Sequence, residues 1–180
     1  MIAQPERHLV VVDMQRVFAD PGSEWATPRF GEILPRVTEL VARVRAVTFT
    51  RFVAPSTPKG SWVAYYERFP FAARPPDDRM WDLVDGLGAD PARTISTTTF
   101  GKWGHRLAAR VGDARLVLAG VSTECCVVAT AVAAADAGAR VEVVTDACAG
   151  ATDASHAAAL GVLEWFAPQV TLLTSADLLT

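Results

Sequence analysis

The chain has 180 residues, 51% of them apolar and 21% charged, with a formal net charge of −3. That balance suits one globular unit with a sizeable core, read here as a single domain over residues 1–180. It gives no support for nucleic acid or an anionic membrane as partner, and no apolar run approaches the ~18 residues that a membrane span needs.

Three cysteines, two of them adjacent, do not make a disulfide framework. Met1 to Arg7 lacks a basic segment followed by an apolar core, so no signal peptide is expected. A reducing cytoplasm is the simplest compartment for such a chain.

His8 to Asp13 is an unbroken apolar run ending in an acid, the pattern of a parallel strand covered on both faces. Gln15 to Pro28 reads as a loop that turns at Asp20-Pro21-Gly22. Ile33, Leu34, Val37, Leu40, Val41 and Val44 recur at helical spacing, which predicts a helix over Phe30 to Arg45. Ala46 to Arg51 is the second strand. Phe52 to Pro76 carries five of the eleven prolines and reads as a long irregular loop, a length that usually signals function. Trp25, Trp62, Tyr66 and Phe69, with Phe18, are candidates for a substrate pocket; a hydrophobic cluster under the loop or a subunit contact would use the same residues.

Further on, Asp78 to Leu87 reads as a short helix, Arg93 to Ser96 as strand three and Gly104 to Val111 as a helix. Leu116 to Ala119 opens strand four, which Gly120 breaks. Ser122 and Thr123 supply side-chain oxygens suited to an N-cap, and the stretch from Glu124 to Ala137 is a helix ending at Gly138. Strand five runs from Arg140 to Thr145, ending at Asp146. A helix over Asp153 to Phe166 and strand six over Val170 to Leu173 follow, with Asp146 and Asp153 serving turns and caps.

Strands alternating with helices predict an α/β fold, a three-layer Rossmann-like arrangement of six parallel strands with helices on both faces. In the common order 3-2-1-4-5-6, strands one and four are neighbours where the order reverses, and ligands bind there at the carboxyl ends of the strands. Asp13 ends strand one and Cys126 follows strand four, so the two would meet in that crevice. Cys126 falls in the first turn of its helix, where free N–H groups and the positive end of the dipole favour a thiolate. Cys125 faces another side of the helix and is expected in the core. The helix after Glu124 is apolar nearly all round, which makes a homo-oligomer plausible.

Val-Val-Asp13-Met-Gln15-x-x-Phe18 resembles the N-terminal signature of the isochorismatase-like cysteine hydrolases. Gly120-Val-Ser-Thr-x-x-Cys126-Val-x-x-Thr130-Ala131 resembles their nucleophile motif, and Val143-Val-Thr-Asp146-Ala147 followed by His156 their closing segment. The resemblance implies the six-stranded parallel sheet and makes Asp13 the acid and Cys126 the nucleophile. It matches Val121–Ser122 to a cis peptide and the N–H groups of Ser122 and Cys126 to the oxyanion hole. The family's lysine precedes an aromatic motif. Aligned on Phe100 and Trp103, this chain has Thr97 at that position and Lys102 five residues later. The Lys102 ammonium has two placements open, the same pocket or solvent, and Thr97 reads as a pocket or structural residue. The Asp-x-His cluster of nicotinamidases does not occur, since His8, His105 and His156 are scattered; neither a metal nor a cofactor is expected.

In this reading Asp13 is the base, and burial of a strand-end carboxylate raises its pKa toward the working range. Cys126 attacks a small amide or related C–N bond, backbone amides hold the oxyanion and Lys102 balances the charge. Two alternatives stand beside it: enol-ether cleavage of the isochorismatase type, and a catalytically silent small-molecule-binding protein.

Overall fold

The computed structural model describes residues 6–180. The signal-peptide reading of Met1 to Arg7 therefore lies largely outside the described residues. The strands are β1 (Arg7–Val12), β2 (Ala46–Phe52), β3 (Thr94–Thr97), β4 (Arg115–Val121), β5 (Val141–Ala149) and β6 (Val170–Leu173). All are parallel, in the order β3-β2-β1-β4-β5-β6, as the sequence predicts. The order reverses between β1 and β4, where Val12 lies opposite Gly120.

Successive side chains of a strand point to opposite faces, so an unbroken apolar run feeds two cores. Leu9 and Val11 pack with Ile33, Val37 and Leu40 of α2 (Phe30–Arg43). Val10 and Val12 pack on the other face with Leu107 of α4 (His105–Val111), Ala131 of α5 (Val128–Asp136) and Leu163 of α6 (Asp153–Glu164). No helix among the described residues is long and apolar enough to cross a membrane.

Several elements differ from expectation, each for a local reason. Gln15 to Pro28 begins with one helical turn, α1 (Arg16–Ala19), before the expected turn, where Asp20 Oδ1 accepts from Gly22 N–H at 2.9 Å. The long loop holds α3 (Trp62–Arg68) and a 3₁₀ turn at Pro70–Ala72. Over Asp78 to Leu87 only Arg79–Trp81 is helical, capped by Asp78; beyond it the chain is drawn out, with Leu83 bridged to Gln15 and Val84 N–H bonded to Met14 O. β5 extends to Ala149 because the register shifts between Leu118 and Gly120 and pairing resumes at Cys148. Asp146 then lies inside the strand and accepts from both N–H and hydroxyl of Ser175, at the start of α7 (Ser175–Leu179), which the sequence reading omits. Thr152, not Asp153, caps α6.

Candidate active site

Asp13 leaves the end of β1 with φ +49°, a left-handed conformation that Asp tolerates better than most residues. The turn sends its side chain into the crevice, where it is fully buried. Thr50 on β2 donates its hydroxyl to Asp13 Oδ1 at 2.8 Å. Lys102 Nζ lies 2.7 Å from Oδ2, and neither side chain has any solvent exposure. The approach is an ion contact rather than an aligned hydrogen bond, and Oδ2 accepts no well-directed hydrogen bond among the described residues.

The Lys102 ammonium also donates to Thr99 O at 3.0 Å and Thr97 Oγ1 at 3.2 Å, and stands 5.4 Å from the centre of the Phe52 ring. Of the two placements open in the sequence, the structure has the buried one. Burying a cation is costly unless it is paired, and here one carboxylate and two further acceptors compensate it.

Cys126 arrives from the next strand. β4 ends at Val121, the Val121–Ser122 bond is cis, and the chain enters a single π-turn over Thr123–Val127 that leads into α5. In that turn the N–H of Val127 reaches back to Ser122 O, and that of Val128 reaches back to Thr123 O. The N–H of Ser122 donates to no backbone or side-chain acceptor in the described residues, and that of Cys126 reaches no acceptor outside the turn. The expected capping by Ser122 and Thr123 is not what forms: Ser122 makes no side-chain cap, and Thr123 Oγ1 pairs with His156 Nδ1 at 2.8 Å.

The resting state of Cys126 also departs from expectation. Burial pushes its thiol well above the usual cysteine range, the Asp13 carboxylate beside it adds to the rise, and the Lys102 ammonium opposes it. Removal of solvent outweighs the helix-terminal field. The free protein therefore holds a thiol beside a carboxylate rather than a preformed thiolate.

A cavity of about 380 Å³ opens on Cys126 and Ser122. The candidates Phe18, Trp25 and Phe69 line it together with Phe52, Tyr65 and Phe100; Glu24, Arg68, Glu124 and Cys125 add polar groups to the lining. The other pocket candidates, Trp62, Tyr66 and Thr97, are not on this wall. Trp62 and Tyr66 lie one helical turn apart on α3 and form a second layer, Trp62 with its ring 4.9 Å from that of Phe100 and Tyr66 only 6% exposed. Tyr65 and Phe69, also four residues apart, present the adjoining face to the cavity. Thr97 instead accepts from Lys102. Cys125 is exposed and lines the cavity, not the core, because the π-turn rotates it outward.

The residues that sequence reasoning missed include Phe52, Tyr65, Phe100, Thr50 and Cys125. A helical reading of 62–68 would have found Tyr65 through its spacing to Phe69. Nothing local marks Thr50, whose role comes from the β1–β2 register. His8 is bonded to Thr48 within the sheet, at 2.9 Å. Among the described residues no three His, Cys, Asp or Glu side chains gather into a set fit to hold a metal ion.

The fold and the site together define an α/β protein whose crevice, at the reversal of strand order, holds an acid, a cation and a cysteine. The family model described as the Isochorismatase domain matches residues 7–177, and the chain belongs to that family. A cysteine hydrolase from Pseudomonas syringae pv. phaseolicola is 18% identical with a TM-score of 0.83, covering 97% of this chain and 91% of that one. An isochorismatase family protein from Desulfovibrio vulgaris is 21% identical with a TM-score of 0.82, covering 97% of each chain. Pyrazinamidase of Pyrococcus horikoshii, solved in complex with zinc, is 27% identical with a TM-score of 0.78, covering 94% of this chain and 99% of that one. No curated protein matches the chain significantly.

Proposed function

We propose that this isochorismatase-family hydrolase cleaves a small amide or related C–N bond through a thioester on Cys126. The observation that carries the reading is the buried Asp13–Lys102 ion pair, 2.7 Å apart, set against a cysteine that lines an aromatic cavity. The pyrazinamidase and nicotinamidase names of related structures support the amide class. The cavity lining suits a compact substrate with a flat or apolar body.

In the proposed cycle Asp13 Oδ2 takes the Cys126 proton as the substrate excludes water. The sulfur attacks the carbonyl carbon, and the oxygen becomes an oxyanion received by the N–H groups of Ser122 and Cys126. Asp13 returns the proton to the leaving nitrogen, the C–N bond breaks and the amine departs. Water then gives a proton to Asp13 and its oxygen to the thioester, and the proton passes back to sulfur as the acid leaves. Lys102, held against Asp13 at 2.7 Å and bonded to Thr97 and Thr99, balances the negative charge that passes between the acid and the sulfur. Deep burial makes these interactions stronger than in water.

The test is a panel of small primary amides and ureides assayed for ammonia release, with acid-quenched samples weighed intact. The expected result is turnover by the native chain, none by Cys126→Ala, and an acyl adduct mapped to Cys126. Turnover that survives Cys126→Ala would overturn the reading.

A further inference from the structure

Lys102 sits on the segment after β3, whereas Cys126 belongs to the π-turn after β4, so something must hold one against the other. The main-chain N–H of Lys102 donates to Thr130 Oγ1 at 2.9 Å. The same Thr130 hydroxyl donates to Cys126 O at 2.6 Å. Thr130 has no solvent exposure. It is the one side chain bonded to the backbone of both residues in the described hydrogen bonds. One residue before each partner the two segments touch again: a side chain on Gly101 would come within 3.3 Å of Ala129 O. The segment carrying the lysine is thus docked on α5 at two consecutive positions.

The bond to Cys126 has a second effect. A π-turn widens the helical ladder and leaves carbonyls short of N–H donors where it joins an α-helix. Thr130 supplies a hydroxyl to the carbonyl of the cysteine itself. A threonine hydroxyl has one proton and two lone pairs, so it can donate to Cys126 and accept from Lys102 at once.

We infer that Thr130 is a positioning residue: its hydroxyl fixes the Lys102 backbone to the Cys126 turn and so holds the ammonium where it offsets the charge on Asp13 and on sulfur. The inference rests on the catalytic reading above and adds to it the device that lets a lysine displaced from position 97 serve the same cysteine. Without the hydroxyl, the Lys102 segment keeps its sequence but loses its seat, and the cation no longer favours the thiolate.

The experiment needs no substrate. Cys126 alkylation by iodoacetamide is followed against pH by peptide mass spectrometry in the native chain and in Thr130→Val, Thr130→Ser, Lys102→Met and Thr130→Val/Lys102→Met. A thermal melt of each variant shows that it is folded, and Thr130→Ala replaces Thr130→Val should the latter not be. Thr130→Val is expected to shift the profile upward by about one pH unit, or roughly tenfold in rate at fixed pH. Lys102→Met is expected to do the same, the double variant to be no slower than Lys102→Met, and Thr130→Ser to react as the native chain does. Native-like alkylation in Thr130→Val beside a slowed Lys102→Met overturns the positioning role alone. So does a Thr130→Ser as slow as Thr130→Val, which would make the effect one of packing. Native-like alkylation in Lys102→Met removes the lysine from the site, and the catalytic reading falls with the inference.

Discussion

Lys102 donates from Nζ to Oγ1 of Thr97 at 3.2 Å, so its ammonium stands beside the residue at the family's lysine position. A long stem carries the charge back along the chain to a side chain five residues earlier. Lys102→Met is expected to lower turnover about 100-fold, the scale of removing one preorganised charge from a water-excluded site. It also strands the buried Asp13 carboxylate and should cost about 3 kcal/mol of stability. Thr97→Ala removes one of three acceptors around the ammonium and should change turnover by about twofold. Steady-state kinetics and thermal melts of the two variants check this, and full activity in Lys102→Met would contradict it.

The protonated resting thiol has a kinetic signature. Burial and the neighbouring Asp13 carboxylate hold Cys126 above the usual range despite Lys102. Its alkylation in the free protein should therefore keep rising with pH beyond the unperturbed ~8.5. A plateau reached below pH 8 would mean that the helix-terminal field wins, as the sequence alone suggests.

Alkaline stability depends on a thiol outside the site. Burial pushes Cys148 from 9.0 up to about 12. Between those values the folded chain keeps a proton that the unfolded chain has lost, so stability is unaffected below pH 9 and falls as pH rises toward 12. The slope is about 1.4 kcal/mol per pH unit for one thiol. Cys148→Ala should lower stability at pH 7 by leaving a small void, yet flatten the decline above pH 9. Chemical denaturation at a series of pH values measures both effects, and an unchanged alkaline slope would rule out this contribution.

The sheet was legible because each strand is an apolar run bounded by turn residues, and alternation with helices leaves few parallel topologies. Asp13 and Cys126 could be placed from that topology, since both end up at the point where the strand order reverses. The ionisation of Cys126 was not legible, because it is set by how much protein covers the sulfur, and this depends on residues far along the chain. The cavity wall was half legible. Aromatic composition marks the long loop, but choosing Tyr65 over Tyr66 requires knowing that residues 62–68 are helical, and prolines on either side hide that. Asp78 to Leu87 misled in the opposite sense: its pattern permits a helix, and pairing of Leu83 with Gln15 prevents one.

Gly120 offers the last test, at the seam between the two strands that carry the site. Its φ is +121°, a region closed to side chains, and a Cβ there would overlap the carbonyl oxygen of Val12 on the neighbouring strand. The close approach follows from the β1–β4 register, which sets Val12 opposite Gly120 immediately before Asp13 and two residues before Ser122. Gly120→Ala must either strain its own backbone or push β1 from β4, and both move Asp13 relative to Cys126. The expected cost is about 3 kcal/mol or more, a fall of roughly 10 °C in Tm for a chain of this size. Turnover measured below the transition should fall more steeply than the folded fraction, because separation of the strands loosens the acid–thiol pair before it unfolds the sheet. Gly138→Ala is the control: its φ of +89° carries the same backbone penalty, but nothing lies within 4 Å of the added carbon. That variant should lose stability and keep its activity per folded molecule. Equal losses of activity in both variants would show that the Val12 contact does not transmit to the site.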